Sequence, residues 1–166
     1  IYKTNEKDFQ TIINLSLTLI ELKEYVNAEN ILKNAINLNP KHLDTLICLG
    51  DLYLKKGNTD EAIKYYLKFV EINQGNPIIY SNLGTAYLRK TDFISSKDNA
   101  DFVSSKDNFE KALKISPNNS IVLNAFSYLL LSNCEIEKGL DAYENRKFAK
   151  KNEYEFKTIG NEWEGE

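Results

Sequence analysis

Residues 47–57 read ICLGDLYLKKG and residues 81–91 read SNLGTAYLRKT. Both contain Leu-Gly-x-x-Tyr-Leu-[Lys/Arg]-Lys, and Gly50 and Gly84 lie 34 residues apart. One period upstream of Gly50 is Ser16, inside IINLSLTLIELK (12–23). The stretches that follow also align: AENILKNAINLNP (28–40), EAIKYYLKFVEIN (61–73) and NFEKALKISP (108–117). A small residue flanked by Leu and Tyr at helical spacing suits a close helix–helix crossing. A helical pair that recurs at a fixed period cannot bury its apolar face alone, so its neighbours must stack on it.

This pattern resembles the tetratricopeptide repeat (TPR), a 34-residue helix–turn–helix with W-x2-L-G-x2-Y, then A-x3-F, then A and P. Residues 43–76 supply Leu46, Leu49, Gly50, Tyr53, Ala62 and Tyr66, with Phe69 and Gln74 in place of the usual Ala and Pro. Residues 9–42 supply Ile12, Leu15, Ser16, Leu19, Ala28, Leu32, Ala35 and Pro40. The third unit, 77–119, opens at Pro77 with Tyr80, Leu83, Gly84 and Tyr87, and closes with Phe109, Ala112 and Pro117. A degenerate fourth unit, 120–151, carries Leu123, Phe126, Ser127, Leu130, Gly139 and Tyr143. Residues 1–8 precede the array and 152–166 follow it as a tail or linker. The resemblance implies an all-α, right-handed solenoid of about four TPR-like hairpins.

The third unit is longer than the others because it contains a duplication, DFISSKDNA (92–100) followed by DFVSSKDNF (101–109). Removing either copy restores the period. Counting back from Pro117 places Phe109 where the repeat requires an aromatic. The second copy therefore belongs to the second helix, and the first is the insert at the turn. One continuous helix would turn about 900° over nine residues and face the two copies oppositely, so a protruding loop or an extra exposed turn is expected. Ser95-x-x-Asp98 and Ser104-x-x-Asp107 are each candidates to start a helix by capping.

Composition limits the remaining possibilities. The chain has 166 residues, 42% apolar and 27% charged, with only 7 Gly and 3 Pro, which favours helices over disorder. Abundant Asn, Lys and Ile suggest an AT-rich genome. A net charge of −3 gives no basis for nucleic-acid binding, which needs a basic face. No apolar run approaches the ~20 residues of a membrane span. IYKTNEKDF lacks the apolar centre of a signal peptide, and the chain has no Met, as a piece of a longer protein would. Cys48 and Cys134 read as free thiols of a cytoplasmic protein. His42, the single histidine, has no Cys or His nearby, which argues against zinc.

No catalytic constellation is present: there is no G-x-S-x-G, no phosphate loop and no H-E-x-x-H, and the carboxylates are scattered. No catalytic, cofactor or metal residue is assigned, and no enzymatic activity is expected. The TPR resemblance implies that the first helices line a concave groove that binds a protein or peptide. Its exposed positions would be Ile13, Asn14, Leu17 and Glu21, then Ile47, Asp51 and Lys55, then Ser81, Asn82, Thr85 and Arg89, then Asn124 and Tyr128. Lys55 and Arg89 share a register and would stack about 10 Å apart, suited to an acidic group. Asn14 and Asn82 share another register, similar to the asparagine row in the TPR arm of O-GlcNAc transferase-like proteins, although Cys48 interrupts it and Ala125 ends it.

The two ends carry further signals. Ile12, Ile13, Leu15, Leu17, Leu19, Ile20 and Leu22 surround the first helix with apolar side chains, which predicts burial by preceding repeats or by another chain, including self-association. Gly139, Tyr143, Glu144 and Arg146, followed by Trp163-x-Gly165-Glu166, resemble the junction in bacterial proteins where TPRs run into a glycosyltransferase-like domain. Two roles follow from these signals: a stand-alone adaptor, or the substrate-recruiting arm of such a transferase.

Overall fold

The computed structural model describes residues 6–90 and 100–153, with side chains described for 8–90 and 100–146. The described residues form eight helices: α1 (Glu6–Glu21), α2 (Tyr25–Leu38), α3 (Leu43–Lys55), α4 (Thr59–Ile72), α5 (Pro77–Lys90), α6 (Ala100–Ile115), α7 (Ser120–Ser132) and α8 (Ile136–Glu153). They pair as hairpins α1/α2, α3/α4, α5/α6 and α7/α8, and each hairpin stacks on the next. There is no strand among the described residues. The architecture of the described residues is an all-α solenoid of helical hairpins.

Local sequence accounts for the helix starts. At α3, the His42 ring Nδ1 accepts from the Thr45 backbone N–H at 3.2 Å and pairs with the Thr45 hydroxyl at 2.9 Å, so the single histidine is a helix cap. Pro77 occupies the first position of α5, with the Asn76 side chain accepting from the Ile78 N–H. Asn119 caps α7 through the Ile121 and Val122 N–H groups. Asp60 and Glu61 open α4, while Arg89 and Lys90 close α5, complementing the helix dipoles.

The turn inside the hairpin recurs in three units. Lys23 (φ 62°), Gly57 (φ 81°) and Cys134 (φ 60°) occupy equivalent positions in the left-handed region. The next residue reaches back in each case: Glu24 N–H to Leu19, Asn58 N–H to Tyr53 and Glu135 N–H to Leu130, at 2.8–2.9 Å. This is the Schellman closure of a helix C-terminus. The same residues' carbonyls then accept the first bond of the second helix, from Ala28, Ala62 and Gly139.

Hairpin closure depends on the small residues at 16, 50, 84 and 127. A Cβ on Gly50 would lie 2.1 Å from Cε1 of Tyr66, and one on Gly84 would lie 2.8 Å from the Phe109 ring. Tyr66 and Phe109 are fully buried, as are Leu32, Leu46, Leu49, Leu52, Phe69, Leu83, Leu129 and Leu130. Ser16 and Ser127 serve the same crossings, their hydroxyls turned back onto the Ile12 and Asn124 carbonyls.

The second copy of the duplication forms the packed part of α6. Phe102, Ser105, Asn108 and Phe109 are buried, and Ser105 Oγ donates to the Gly84 carbonyl at 2.8 Å. One expectation is corrected here. Ser104 does not start a helix, because α6 already begins at Ala100, and the Ser104 carbonyl accepts from Asn108 as an interior residue. The other copy lies outside the described residues apart from Ala100, as does Ser95-x-x-Asp98.

Candidate protein-binding face

First helices touch at α1 with α3 and at α5 with α7, and α3 and α5 are tied by the Asn82–Asp51 and Arg89–Leu54 hydrogen bonds, whereas contacts between successive second helices are weaker or missing among the described residues. The array is therefore tighter on the first-helix side, and that side carries the groove positions. Four registers run along it. They correspond to Ile13, Ile47, Ser81 and Asn124; to Asn14, Cys48, Asn82 and Ala125; to Leu17, Asp51, Thr85 and Tyr128; and to Glu21, Lys55, Arg89 and Ser132.

The first register is not a binding surface along its length. Ile13 (6% exposed) and Ser81 (7% exposed) are buried, contrary to the sequence expectation, and Ile47 is half-buried. They lie where neighbouring first helices meet, so the following unit covers them. Asn124, in the last described unit, is exposed.

The centre of the face is polar and tied together. Asp51 Oδ1 accepts from the Tyr66 hydroxyl at 2.5 Å and from the Asn82 amide at 3.2 Å. Burial raises the Asp51 pKa, against the opposing effects of the Tyr66 bond and Lys55. Burial likewise raises the Tyr66 phenol and pushes the Cys48 thiol up to about 12, the Asp51 and Asp44 carboxylates adding to the Cys48 shift. Cys48 is thus an inert core thiol.

Flanking this centre, Thr85 Oγ1 donates to the Ser81 carbonyl, and Arg89 donates to the Leu54 carbonyl at 3.1 Å. Lys55 stands 3.9 Å from Glu21, both well exposed. Arg89 therefore spans two units, while Lys55 answers a carboxylate of the preceding unit. At one end Asn14 accepts from Gln10, and Leu17 is 43% exposed. At the other, Tyr128 is 60% exposed, and Asn124 Oδ1 accepts from Arg146 at 3.0 Å.

Tyr66 and Arg146 were not anticipated, because both come from second helices. Tyr66 reads as core packing and is fully buried against Gly50, yet its hydroxyl bonds Asp51 just beneath the face. Arg146 stacks 3.6 Å over the Tyr143 ring, which directs its guanidinium to Asn124. Gly139, backed onto Leu131, and this Tyr143–Arg146 pair have local packing roles; Trp163, Gly165 and Glu166 lie outside the described residues. Among the described residues there is no cluster suited to a metal ion, and no helix is long and apolar enough to cross a membrane.

Comparison with known proteins agrees with this geometry. Models of the tetratricopeptide repeat match residues 9–42 and 31–64, and a TPR repeat model matches 50–90. The BBSome complex member BBS4 of Bos taurus is 40% identical over 87 residues, covering 52% of this chain and 17% of that protein. Anaphase-promoting complex subunit 3 of Schizosaccharomyces pombe is 26% identical over 99 residues, covering 60% of this chain and 14% of that protein. The chain thus spans less than a fifth of these curated relatives. Among solved structures, MamA superposes with a TM-score of 0.69 at 20% identity, over 90% of this chain and 77% of that one. TTC0263, a thermophilic TPR protein of Thermus thermophilus, gives 0.73 at 17% identity, over 85% and 74%. At these identities the structures establish the shared fold.

Proposed function

We propose, from the premise that this chain is a solenoid of tetratricopeptide repeats, that it is a protein-binding scaffold whose first-helix face holds an extended peptide segment. The observation that carries this reading is the Asp51–Tyr66–Asn82 cluster at the centre of that face. Donation to Asp51 fixes the Asn82 amide, whose remaining donor and acceptor suit a peptide backbone. Fixing the side chain beforehand lowers the entropy lost on binding. Leu17 and Tyr128, exposed on either side, supply apolar contact, and Arg89 supplies a cation for an acidic side chain.

Selection from a random-sequence peptide library displayed on phage tests this. Selected peptides should bind the purified chain and lose about tenfold or more in affinity with Asn82→Ala, a loss comparable to one or two hydrogen bonds. A library that yields no binder, or binders indifferent to Asn82→Ala and Arg89→Ala, would overturn the reading.

A further inference from the structure

A further register extends the first-helix face toward the starts of its helices. It consists of Gln10, Asp44, Ile78 and Ile121, one residue per unit, and all four are exposed. Within α5, Ile78, Asn82, Thr85 and Arg89 follow the spacing i, i+4, i+7 and i+11, so they form one stripe of the helix. Ile78 is thus in line with the Asn82 amide and the Arg89 guanidinium. Its exposure does not depend on where the array stops, because Asp44 and Ile78 belong to units that have a hairpin on either side. The core uses the neighbouring residues instead: Ile79 and Val122 are buried, whereas Ile78 is 56% and Ile121 76% exposed. Because α5 and α7 touch, the two isoleucines stand side by side on the face, at the spacing of packed helices, about 10 Å.

The two edges of this stripe differ in charge. At the helix-end edge, Arg89 spends one N–H on the Leu54 carbonyl, which leaves its other guanidinium donors for a ligand. Lys55 holds the same register on α3, and its contact with Glu21, 3.9 Å between two well-exposed groups, is weak. At the helix-start edge, Gln10, Asp44, Ile78 and Ile121 include a carboxylate and no cation. An acidic group is therefore drawn to Lys55 and Arg89 and disfavoured at the opposite edge, where aliphatic surface is offered instead.

We propose that the peptide segment held on this face places an acidic side chain at Lys55 and Arg89 and an aliphatic side chain at Ile78 and Ile121, with its backbone at Asn82 between them. The assignment rests on the peptide-binding reading above and adds the chemistry and register of the ligand. Between residues 78 and 89 the helix rises about 16 Å, a distance that an extended chain covers in about five residues. The ligand class is thus a segment with Asp or Glu about five positions from Ile, Leu or Val.

Sequencing the random-library peptides selected on the purified chain, and on Arg89→Glu and Ile78→Asp variants, tests the register. Both residues are exposed, and an acid suits the first turn of α5, so the variants should fold, as circular dichroism checks. Peptides selected on the unaltered chain should be enriched in Asp or Glu about five positions from Ile, Leu or Val. Selection on Arg89→Glu should exchange the acid for Lys or Arg, and selection on Ile78→Asp should lose the aliphatic preference. A peptide selected on the unaltered chain should bind each variant about tenfold or more weakly. Binders that need Asn82 yet show no such spacing, or whose preferences are the same on both variants, would overturn the register and leave the peptide-binding face standing. A library that yields no binder, or binders indifferent to Asn82→Ala and Arg89→Ala, would overturn the face and the register together.

Discussion

The Tyr66 hydroxyl donates to Asp51 Oδ1 at 2.5 Å, reaching it past Gly50, where a Cβ would stand 2.1 Å from the same ring. One side chain thus closes the second hairpin and fixes the polar centre of the proposed binding face. The glycine is the condition for both, because the fully buried Tyr66 ring occupies the place a Cβ at residue 50 would need.

Gly50→Ala should therefore destabilise the chain in spite of alanine's better helix propensity. Overpacking costs about 1–3 kcal/mol, against about 1 kcal/mol gained from propensity. A net loss of about 1–2 kcal/mol is expected in urea unfolding, with a similar loss for Gly84→Ala against Phe109. An unchanged or raised midpoint would show that the crossing is looser than described.

The left-handed turn residues give the opposite sign. Lys23 and Cys134 hold positive φ with a Cβ, whereas Gly57 does so with open space where a Cβ would stand. Lys23→Gly and Cys134→Gly should each stabilise by roughly 0.5–1 kcal/mol, and Gly57→Ala should destabilise by a similar amount. Thermal unfolding of the three variants measures this directly.

The same consensus position should differ in cost along the array. Leu49 is fully buried and Leu15 is 48% exposed. Leu49→Ala should cost about 2–5 kcal/mol, and Leu15→Ala less than about 1 kcal/mol, measured by urea unfolding in dilute solution.

The two copies of the duplication offer a comparison of near-identical deletions. Removing 92–100 keeps Phe109 over Gly84, and the chain should retain most of its stability. Removing 101–109 places Ala100 at that position, which should cost about 3–5 kcal/mol, as Phe→Ala changes in cores do. Equal stabilities would contradict the assignment of the second copy to the core.

Acid unfolding should depend on Glu29. Its pKa falls from an ordinary value near 4.5 to about 2, chiefly through Lys33 and then through Lys56 and Tyr53. A carboxylate with a lowered folded pKa contributes stability that is complete above 4.5 and is lost as pH falls through about 2. Lys33 is half exposed, so solvent screens part of the effect, leaving roughly 1–2 kcal/mol. Over that pH window the wild-type chain should lose this much more stability than Glu29→Gln in urea titrations.

The repeat was legible in the sequence because its determinants are contacts within one unit. Gly50 and Gly84 need no knowledge of neighbours to signal a close crossing, and Phe109 could be placed by counting from Pro117. Contacts between units were less legible. Ile13 and Ser81 share a register with Asn124, yet only Asn124 is exposed, because burial there depends on whether another first helix follows. The contacts of Tyr66 with Asp51 and of Arg146 with Asn124 are hidden for a similar reason. Each belongs to a second helix, and only the folded hairpin shows how far its terminal atoms extend. The positive φ at Lys23 and Cys134 was likewise invisible, since neither residue type signals a left-handed turn.

The most direct measurement is amide hydrogen exchange, followed by mass spectrometry, on the chain with and without a library-selected peptide. The account predicts added protection concentrated in α3 and α5, around Asp51 and Asn82, with smaller changes in α4 and α6. Protection confined to α4 and α6, or to the ends of the array at α1 and α8, would contradict a binding face built from the first helices.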